Sequence, residues 1–208
     1  MLEFFKTPTL IESKPEFVKH LNKASNKYIN EARKKEKEYI KKYDDFGKSY
    51  HSTALTRDED FAPFRDYVGQ KSWQFLNDMG YDMSLYTTIF TEMWVQEFAK
   101  KGGGHHAAHV HWNQHVSGFY FLKCSENTSY PIFHDPRNGA RMTKLKLKPQ
   151  LNESIEYGSE HVRFKVEPGM LIIFPGYVEH EFVVDQGIDP FRFVHFNIQA
   201  IPKEVCKL

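Results

Sequence analysis

The chain has 208 residues, with 28 lysines and arginines against 27 aspartates and glutamates, and a net charge of +1. This balance excludes the strongly basic surface of a nucleic-acid-binding protein. No run approaches the roughly 20 apolar residues of a membrane span. The two cysteines, Cys124 and Cys206, lie far apart without a Cys-x-x-Cys motif. We therefore expect a cytoplasmic protein of one integrated domain, with no nucleic-acid or membrane partner.

The first part of the chain, residues 1–83, predicts a helical support region. Residues 1–12 suit a short edge strand around Pro8. Apolar residues at three- and four-residue steps predict an amphipathic helix near residues 14–42. A second helix is expected near residues 60–79, with Pro63 in its first turn and Gly80 at its end.

From Ser84 onward the pattern changes to short runs of aromatic and β-branched residues, separated by turn-forming clusters. The predicted strands are residues 85–98, 116–122, 131–133, 142–147, 162–166, 170–174, 181–184 and 191–198. Closely spaced strands after two helices predict a mainly β fold, an antiparallel jelly roll with both helices packed on one sheet. Residues 84–208 would form this core.

Five of the 11 histidines follow a Gly-rich approach at residues 102–104. Two of them, His109 and His111, project from the same face of an extended segment. Neutral imidazole is a common ligand of first-row transition metals, so this pair provides half of a metal site. The neighbours His105, His106 and His115 are interpreted as loop or supporting residues.

A third histidine and an arginine follow later in the chain. His180 comes after a turn, an apolar strand and another turn, and in a jelly roll it can face the first pair. Arg192 lies within an otherwise apolar strand. A buried guanidinium is costly unless it pairs with an anion, often through two parallel hydrogen bonds. The sequence therefore predicts an anionic partner for Arg192.

These features together resemble the 2-oxoglutarate and Fe(II)-dependent dioxygenases, whose double-stranded β-helix carries His-x-Asp/Glu, a distal histidine and an arginine or lysine. More narrowly, the chain is similar to a family of small 2-oxoglutarate/Fe(II) oxygenases of marine bacteria and their phages, over about residues 85–200. The motifs are His109-x-His111-Trp112-Asn113, Ser117-Gly118-x-Tyr120-Phe121-Leu122, Phe133-x-Asp135-Pro136-Arg137, Gly169-x-Leu171-x-Ile173-Phe174-Pro175, His180 and Arg192-x-x-x-Phe196-Asn197.

The resemblance implies Fe(II) as metal, with 2-oxoglutarate and O2 as co-substrates. Arg192 would then hold the distal carboxylate of 2-oxoglutarate, aided by Ser117 or Tyr120. Asn113 and Asn197 are candidates for supporting the metal ligands or contacting substrate. The implied reaction couples 2-oxoglutarate decarboxylation to hydroxylation, or a related oxidation, of a small molecule or a protein side chain.

The chain departs from the family pattern at one ligand. His111 stands where most of the superfamily has a carboxylate. Two alternatives follow: a face of three histidines, His109, His111 and His180, or a carboxylate supplied by Asp135.

Two other functions compete with an oxygenase. A cupin-type metalloenzyme also uses His-x-His and a distal histidine, but it normally adds a glutamate, and no acidic residue lies between Asn113 and Lys123. A non-catalytic β-sandwich could use the histidines to bind a metal or another ligand. The sequence leaves the substrate and the oligomeric state open.

Overall fold

The computed structural model describes residues 6–149 and 155–205. The helices are α1 (Val18–Lys35), α2 (Lys37–Tyr43), α3 (Ala62–Asp78) and the short α4 (Asn138–Met142). The strands are β1 (Leu10–Ser13), β2 (Ser49–His51), β3 (Tyr86–Phe98), β4 (His106–His109), β5 (Val116–Lys123), β6 (Pro131–His134), β7 (His161–Arg163), β8 (Met170–Pro175), β9 (His180–Phe182) and β10 (Arg192–Pro202).

The strands form two sheets. The major sheet has the order β1-β8-β5-β10-β3-β2, and the minor sheet has the order β4-β9-β6-β7. Every described strand pair is antiparallel. This arrangement confirms the predicted jelly roll, which is the double-stranded β-helix implied by the resemblance.

Two hydrophobic cores lie on opposite faces of the major sheet. The outer core packs α1 and α3 against the sheet and includes Val194 and Phe196 of β10. The inner core lies between the two sheets and includes Phe193 of the same strand, with Phe119 and Phe174. Successive residues of β10 therefore serve different cores, as the alternation of a strand requires. The helices cover one sheet, as predicted.

The helical region differs in detail from the prediction. The continuous helix expected over residues 14–42 is interrupted at Glu36, whose φ of −99° and ψ of 15° separate α1 from α2. The predicted N-terminal edge strand is present as β1, which pairs with β8, and residues 1–5 lie outside the described part of the chain. Because β1 and β2 belong to the major sheet, residues before Ser84 contribute to the β structure as well. The division at residue 84 stays a prediction.

The predicted strand at residues 142–147 is wrong. α4 ends at Met142, and the following described residues form no strand. Met142 and Leu145 are both 87% exposed, so no neighbouring strand covers them. The Nζ of Lys144 instead binds Asp135 at 2.7 Å, which holds this segment by an ion pair. No described helix is long and apolar enough to cross a membrane.

Candidate metal centre

Three predicted histidines meet between the two sheets. His109 ends β4 and pairs with His180, the first residue of β9, and His111 lies two residues beyond β4. One ring nitrogen from each histidine falls within 4.8 Å of the other two. The Nε2 atoms of His111 and His180 are 3.3 Å apart. The structure thus brings together the three residues that the first alternative requires.

Backbone carbonyls orient two of the rings. The Nδ1 of His109 lies 2.7 Å from the oxygen of Ala107, and the Nδ1 of His180 lies 2.9 Å from the oxygen of Val178. Because a carbonyl oxygen only accepts, each Nδ1 carries a proton and each Nε2 keeps its lone pair. These two histidines are therefore prepared to bind a metal through Nε2.

Burial keeps the imidazoles neutral. Burial, followed by the neighbouring charge of His109, lowers the pKa of His111 to about 4. For His180, burial outweighs the opposing hydrogen bond to the Val178 carbonyl and lowers the pKa to about 3. A histidine ligand must be a neutral imidazole, so both groups have the required charge at neutral pH. The phenyl rings of Phe119 and Phe174 lie 5.5 and 4.8 Å from the His180 ring and keep its surroundings apolar.

The spacing fits a first-row metal. Adjacent ligands of an octahedral ion with bonds of about 2.1 Å lie roughly 3 Å apart. The observed 3.3 Å between the nitrogens of His111 and His180 is close to this value. The ring nitrogen of His109 lies within 4.8 Å of both. Three imidazoles on one face of Fe(II) leave positions for other ligands.

A polar network supports His111. The side chain of Asn197 lies with its Nδ2 3.1 Å from the Nδ1 of His111. Ser117 donates a hydrogen bond of 2.6 Å to Asn197 Oδ1, and Asn197 Nδ2 donates one of 2.6 Å to Glu92. Asn197 therefore lies beside His111, with Ser117 behind it, and the predicted contact of Ser117 with 2-oxoglutarate stays a prediction. Metal binding through Nε2 would leave a proton on Nδ1 of His111. If the Asn197 amide turned over and the exposed Glu92 moved aside, the amide oxygen would accept a hydrogen bond from this Nδ1–H.

Arg192 does not reach this centre, so its predicted role is corrected. Its Nε and one terminal nitrogen contact Glu97 Oε2 at 2.8 and 2.6 Å. The other terminal nitrogen donates to Ser25 and Asn26 of α1 at 2.9 and 2.8 Å. The predicted anionic partner exists, but it is a residue of the chain on the outer face of the major sheet. Strand alternation points Arg192 away from the histidines.

Tyr120 is corrected for the same reason. Its hydroxyl donates a hydrogen bond of 2.6 Å to the carbonyl of Lys14. Its ring packs 4.9 Å from Phe64 of α3, in the outer core. Tyr120 thus fixes the helices to the sheet and is remote from the histidines.

Asp135 is also engaged elsewhere. It accepts hydrogen bonds from the backbone and guanidinium of Arg137 and pairs with Lys144. Arg137 and Lys144 hold the pKa of the Asp135 carboxyl well below its ordinary value. Since Asp135 is not in the group that could hold an ion, the structure favours the three-histidine alternative.

Sequence reasoning missed a second polar set on the inner face. His195 lies opposite Trp94 of β3 and Phe119 of β5. The His195 ring lies 4.8 Å from the His111 ring and 4.4 Å from the Trp94 ring. Next along β3, the amide of Gln96 contacts His106. The available signal was the two-residue step from Asn197 to His195, which places both on one face.

A cavity of about 670 Å³ lies beside this centre, and the three histidines do not line it. Its wall includes Phe133, Val178, His134, His161 and Thr9. The ring of Phe133 also lies 6.0 Å from the ring of His180. The side chain of Trp112, next to His111 in the sequence, is 84% exposed and is not part of this wall.

Known proteins with a similar sequence or structure agree with this fold and with the candidate metal centre. A family model described as "Putative 2OG-Fe(II) oxygenase" matches residues 92–197, just over half of the chain. A prolyl-4-hydroxylase from Pseudomonas putida has a similar structure, with a TM-score of 0.55, 11% identity and coverage of 93% of this chain and 94% of that chain.

Two further solved structures share the fold. The 2OG complex of the viral collagen prolyl hydroxylase from Paramecium Bursaria Chlorella virus-1 gives a TM-score of 0.51 at 14% identity and covers 92% of this chain and 96% of that chain. The nickel complex of the non-heme monooxygenase ThoJ gives a TM-score of 0.55 at 9% identity and covers 94% of this chain and 76% of that chain. No curated protein matches the chain.

Proposed function

This chain belongs to the 2OG-Fe(II) oxygenase family, and from that membership we propose that His109, His111 and His180 hold one Fe(II) ion. The proposed reaction couples 2-oxoglutarate decarboxylation to hydroxylation, or a related oxidation, of a second substrate. The observation that carries the ligand assignment is the group of three ring nitrogens within 4.8 Å. Family membership supports the same reaction over a cupin-type or non-catalytic one.

When bound, Fe(II) with 2-oxoglutarate and O2 supplies the oxidising chemistry of this family. The residues of the chain would orient the metal ligands and shield the metal from water. The carbonyls of Ala107 and Val178 fix two imidazoles, and Asn197 supports His111. The phenylalanines of the inner core keep water from the buried side of His180.

The substrate would approach beside His180. The cavity lined by Phe133 lies next to this ligand, because the Phe133 ring is 6.0 Å from the His180 ring, and it is large enough for a small molecule or an extended side chain. Both substrate classes stay proposals, as do the cytoplasmic location and the marine or phage origin.

The direct test measures succinate formed from 2-oxoglutarate by the anaerobically purified protein after addition of Fe(II) and O2. Slow succinate release is expected without the second substrate. The His180→Ala variant should lose both succinate release and Co(II) binding, since one of three ligands is removed. An exposed histidine on α1 offers the matched control His20→Ala, which should change neither. Unchanged Co(II) affinity in His180→Ala would refute the ligand assignment.

A second variant separates the two ligand sets. Asp135→Asn removes the carboxylate alternative while the histidines stay in place. We expect Co(II) affinity to remain within about twofold, because Asp135 is paired with Arg137 and Lys144. A loss as large as that of His180→Ala would restore Asp135 as the third ligand.

A further inference from the structure

Two buried ring nitrogens beside the metal centre lack hydrogen-bond partners. Among the described residues, the Nε2 of His195 and the Nε1 of Trp94 are buried and make no hydrogen bond. His195 is only 3% exposed. Most buried polar atoms in folded proteins are paired, because leaving one unsatisfied costs free energy. Two unpaired ring nitrogens at one place, of which the indole N–H can only donate, therefore indicate a ligand that supplies an acceptor there.

The location of these nitrogens connects them to the metal centre. His195 and Trp94 are opposite each other on β10 and β3, with rings 4.4 Å apart. The His195 ring also stacks on the ring of His111 at 4.8 Å, with 29° between the planes. A ligand bound at the metal would therefore lie within reach of the His195 and Trp94 side chains on the inner face of the major sheet.

The side chains of His195 and Trp94 have the chemistry to bind a carboxylate. An indole N–H only donates, and an imidazole with its proton on Nε2 also donates there. Two N–H groups match the oxygens of an acid group, and hydrogen bonds to a charged group are stronger than neutral ones. Arg192, the residue expected to provide this anchor, is engaged by Glu97 on the opposite face of the sheet.

We infer that His195 and Trp94 bind the distal carboxylate of 2-oxoglutarate, in the role that the sequence assigned to Arg192. This inference rests on the proposed function. It replaces a cationic anchor by two neutral donors, in which His195 Nε2–H and Trp94 Nε1–H donate to the carboxylate oxygens. The keto acid end of the same molecule would lie toward His111.

The test compares two ligands that differ only at the distal end. 2-Oxopentanoate keeps the keto acid and the five-carbon chain of 2-oxoglutarate but has a methyl group in place of the distal carboxylate. Binding of each is measured by calorimetry to the Co(II)-loaded protein, for the unaltered chain, His195→Phe, His195→Gln, Trp94→Phe and the control His20→Phe. Co(II) affinity and the unfolding temperature are measured for each variant.

We expect His195→Phe, which keeps the ring stacking, to weaken 2-oxoglutarate binding about 10- to 100-fold, as losing a hydrogen bond to a charged group requires. 2-Oxopentanoate and Co(II) should bind as before. Trp94→Phe should act in the same direction. His195→Gln keeps an N–H donor and should recover most of the affinity, and His20→Phe should change nothing.

Three outcomes would overturn the inference. Equal weakening of both keto acids would place His195 at the chelating end, and a loss of Co(II) affinity would make it a fourth metal ligand. Unchanged 2-oxoglutarate binding in folded His195→Phe and Trp94→Phe would mean that neither side chain binds the distal carboxylate. If the unaltered Co(II)-loaded chain bound neither keto acid, the proposed function would fail first, which distinguishes the two failures.

Discussion

Replacing Arg192 by methionine should destabilise the fold and leave 2-oxoglutarate binding nearly unchanged. Arg192 joins β10 to α1 through Ser25 and Asn26 and pairs with Glu97, whose side chain is similarly buried. Methionine keeps much of the side-chain volume but removes the charge and all the hydrogen bonds. The variant therefore isolates the ion pair from packing.

The expected loss can be estimated from the partners left behind. Removing one partner of a buried ion pair typically costs about 3–5 kcal/mol of unfolding free energy. Glu97 would keep Arg33, whose guanidinium lies 3.0 Å from its other oxygen, so the lower end, about 3 kcal/mol, applies. For a chain of this length, that loss lowers the unfolding temperature by about 6–12 °C. The double variant Arg192→Met/Glu97→Leu should recover a large part of it.

Urea and thermal unfolding measure the stability, and calorimetry on the Co(II)-loaded protein measures the 2-oxoglutarate affinity. The control is Lys165→Met, which removes an ion pair with Glu126 that is exposed on both sides and should cost less than about 1 kcal/mol. The reasoning would be refuted if Arg192→Met unfolded like the unaltered chain and lost 2-oxoglutarate affinity tenfold or more. Such a result would mean that the guanidinium faces the metal centre.

Three further predictions concern the centre and its sheet. The pKa of His180 is lowered from 6.5 to about 3 by burial, so the unfolded state binds more protons between these pH values. The metal-free protein should therefore lose stability as pH falls through this range, by up to about 1.4 kcal/mol per pH unit for His180 alone, and urea midpoints at pH 7 and pH 4.5 test this. Asn197→Leu should lower Co(II) affinity about 10- to 100-fold through His111, and an unchanged titration would contradict the support role. Gly118→Ala should destabilise the sheet by about 1–3 kcal/mol, since its Cβ would lie 2.6 Å from a carbonyl of β8, whereas Gly139→Ala, with open space, should unfold like the unaltered chain.

The sequence predicted the layers of this fold well because each layer has its own periodicity. Three- and four-residue steps located α1 and α3, and clusters of turn residues separated most of the strands. The histidines could be found because imidazoles at a two-residue step have few structural explanations. Their convergence with His180 required the pairing of β4 with β9, which the jelly roll supplies.

The face of β10 could not be predicted, and this led to the error at Arg192. In a strand buried on both sides, both faces are apolar, so alternation carries no polarity signal. Phe193 points inward and Phe196 outward, and neither tells which side Arg192 occupies. Glu97 of β3 lies opposite Arg192 and shows which face Arg192 occupies, but this can be seen only when the register between β10 and β3 is known.

The strand expected at residues 142–147 shows a different limit. Strand propensity mainly reflects packing against neighbouring strands, and no described strand lies beside this segment. Leu145 has a strand-like sequence context but remains exposed. The local sequence pattern of residues 142–147 could not show that no described strand lies beside them to pair with.

The position of β10 in the major sheet has a consequence for biosynthesis. It is the last described strand to leave the ribosome, yet it lies between β5 and β3 in the middle of the sheet. Until it is synthesised, those two strands have unpaired edges, which favour association with other chains. A nascent chain stalled before residue 192 would already carry the three histidines proposed as metal ligands but would lack His195 and Asn197. Maturation of the metal centre should therefore follow, and depend on, the insertion of this final strand.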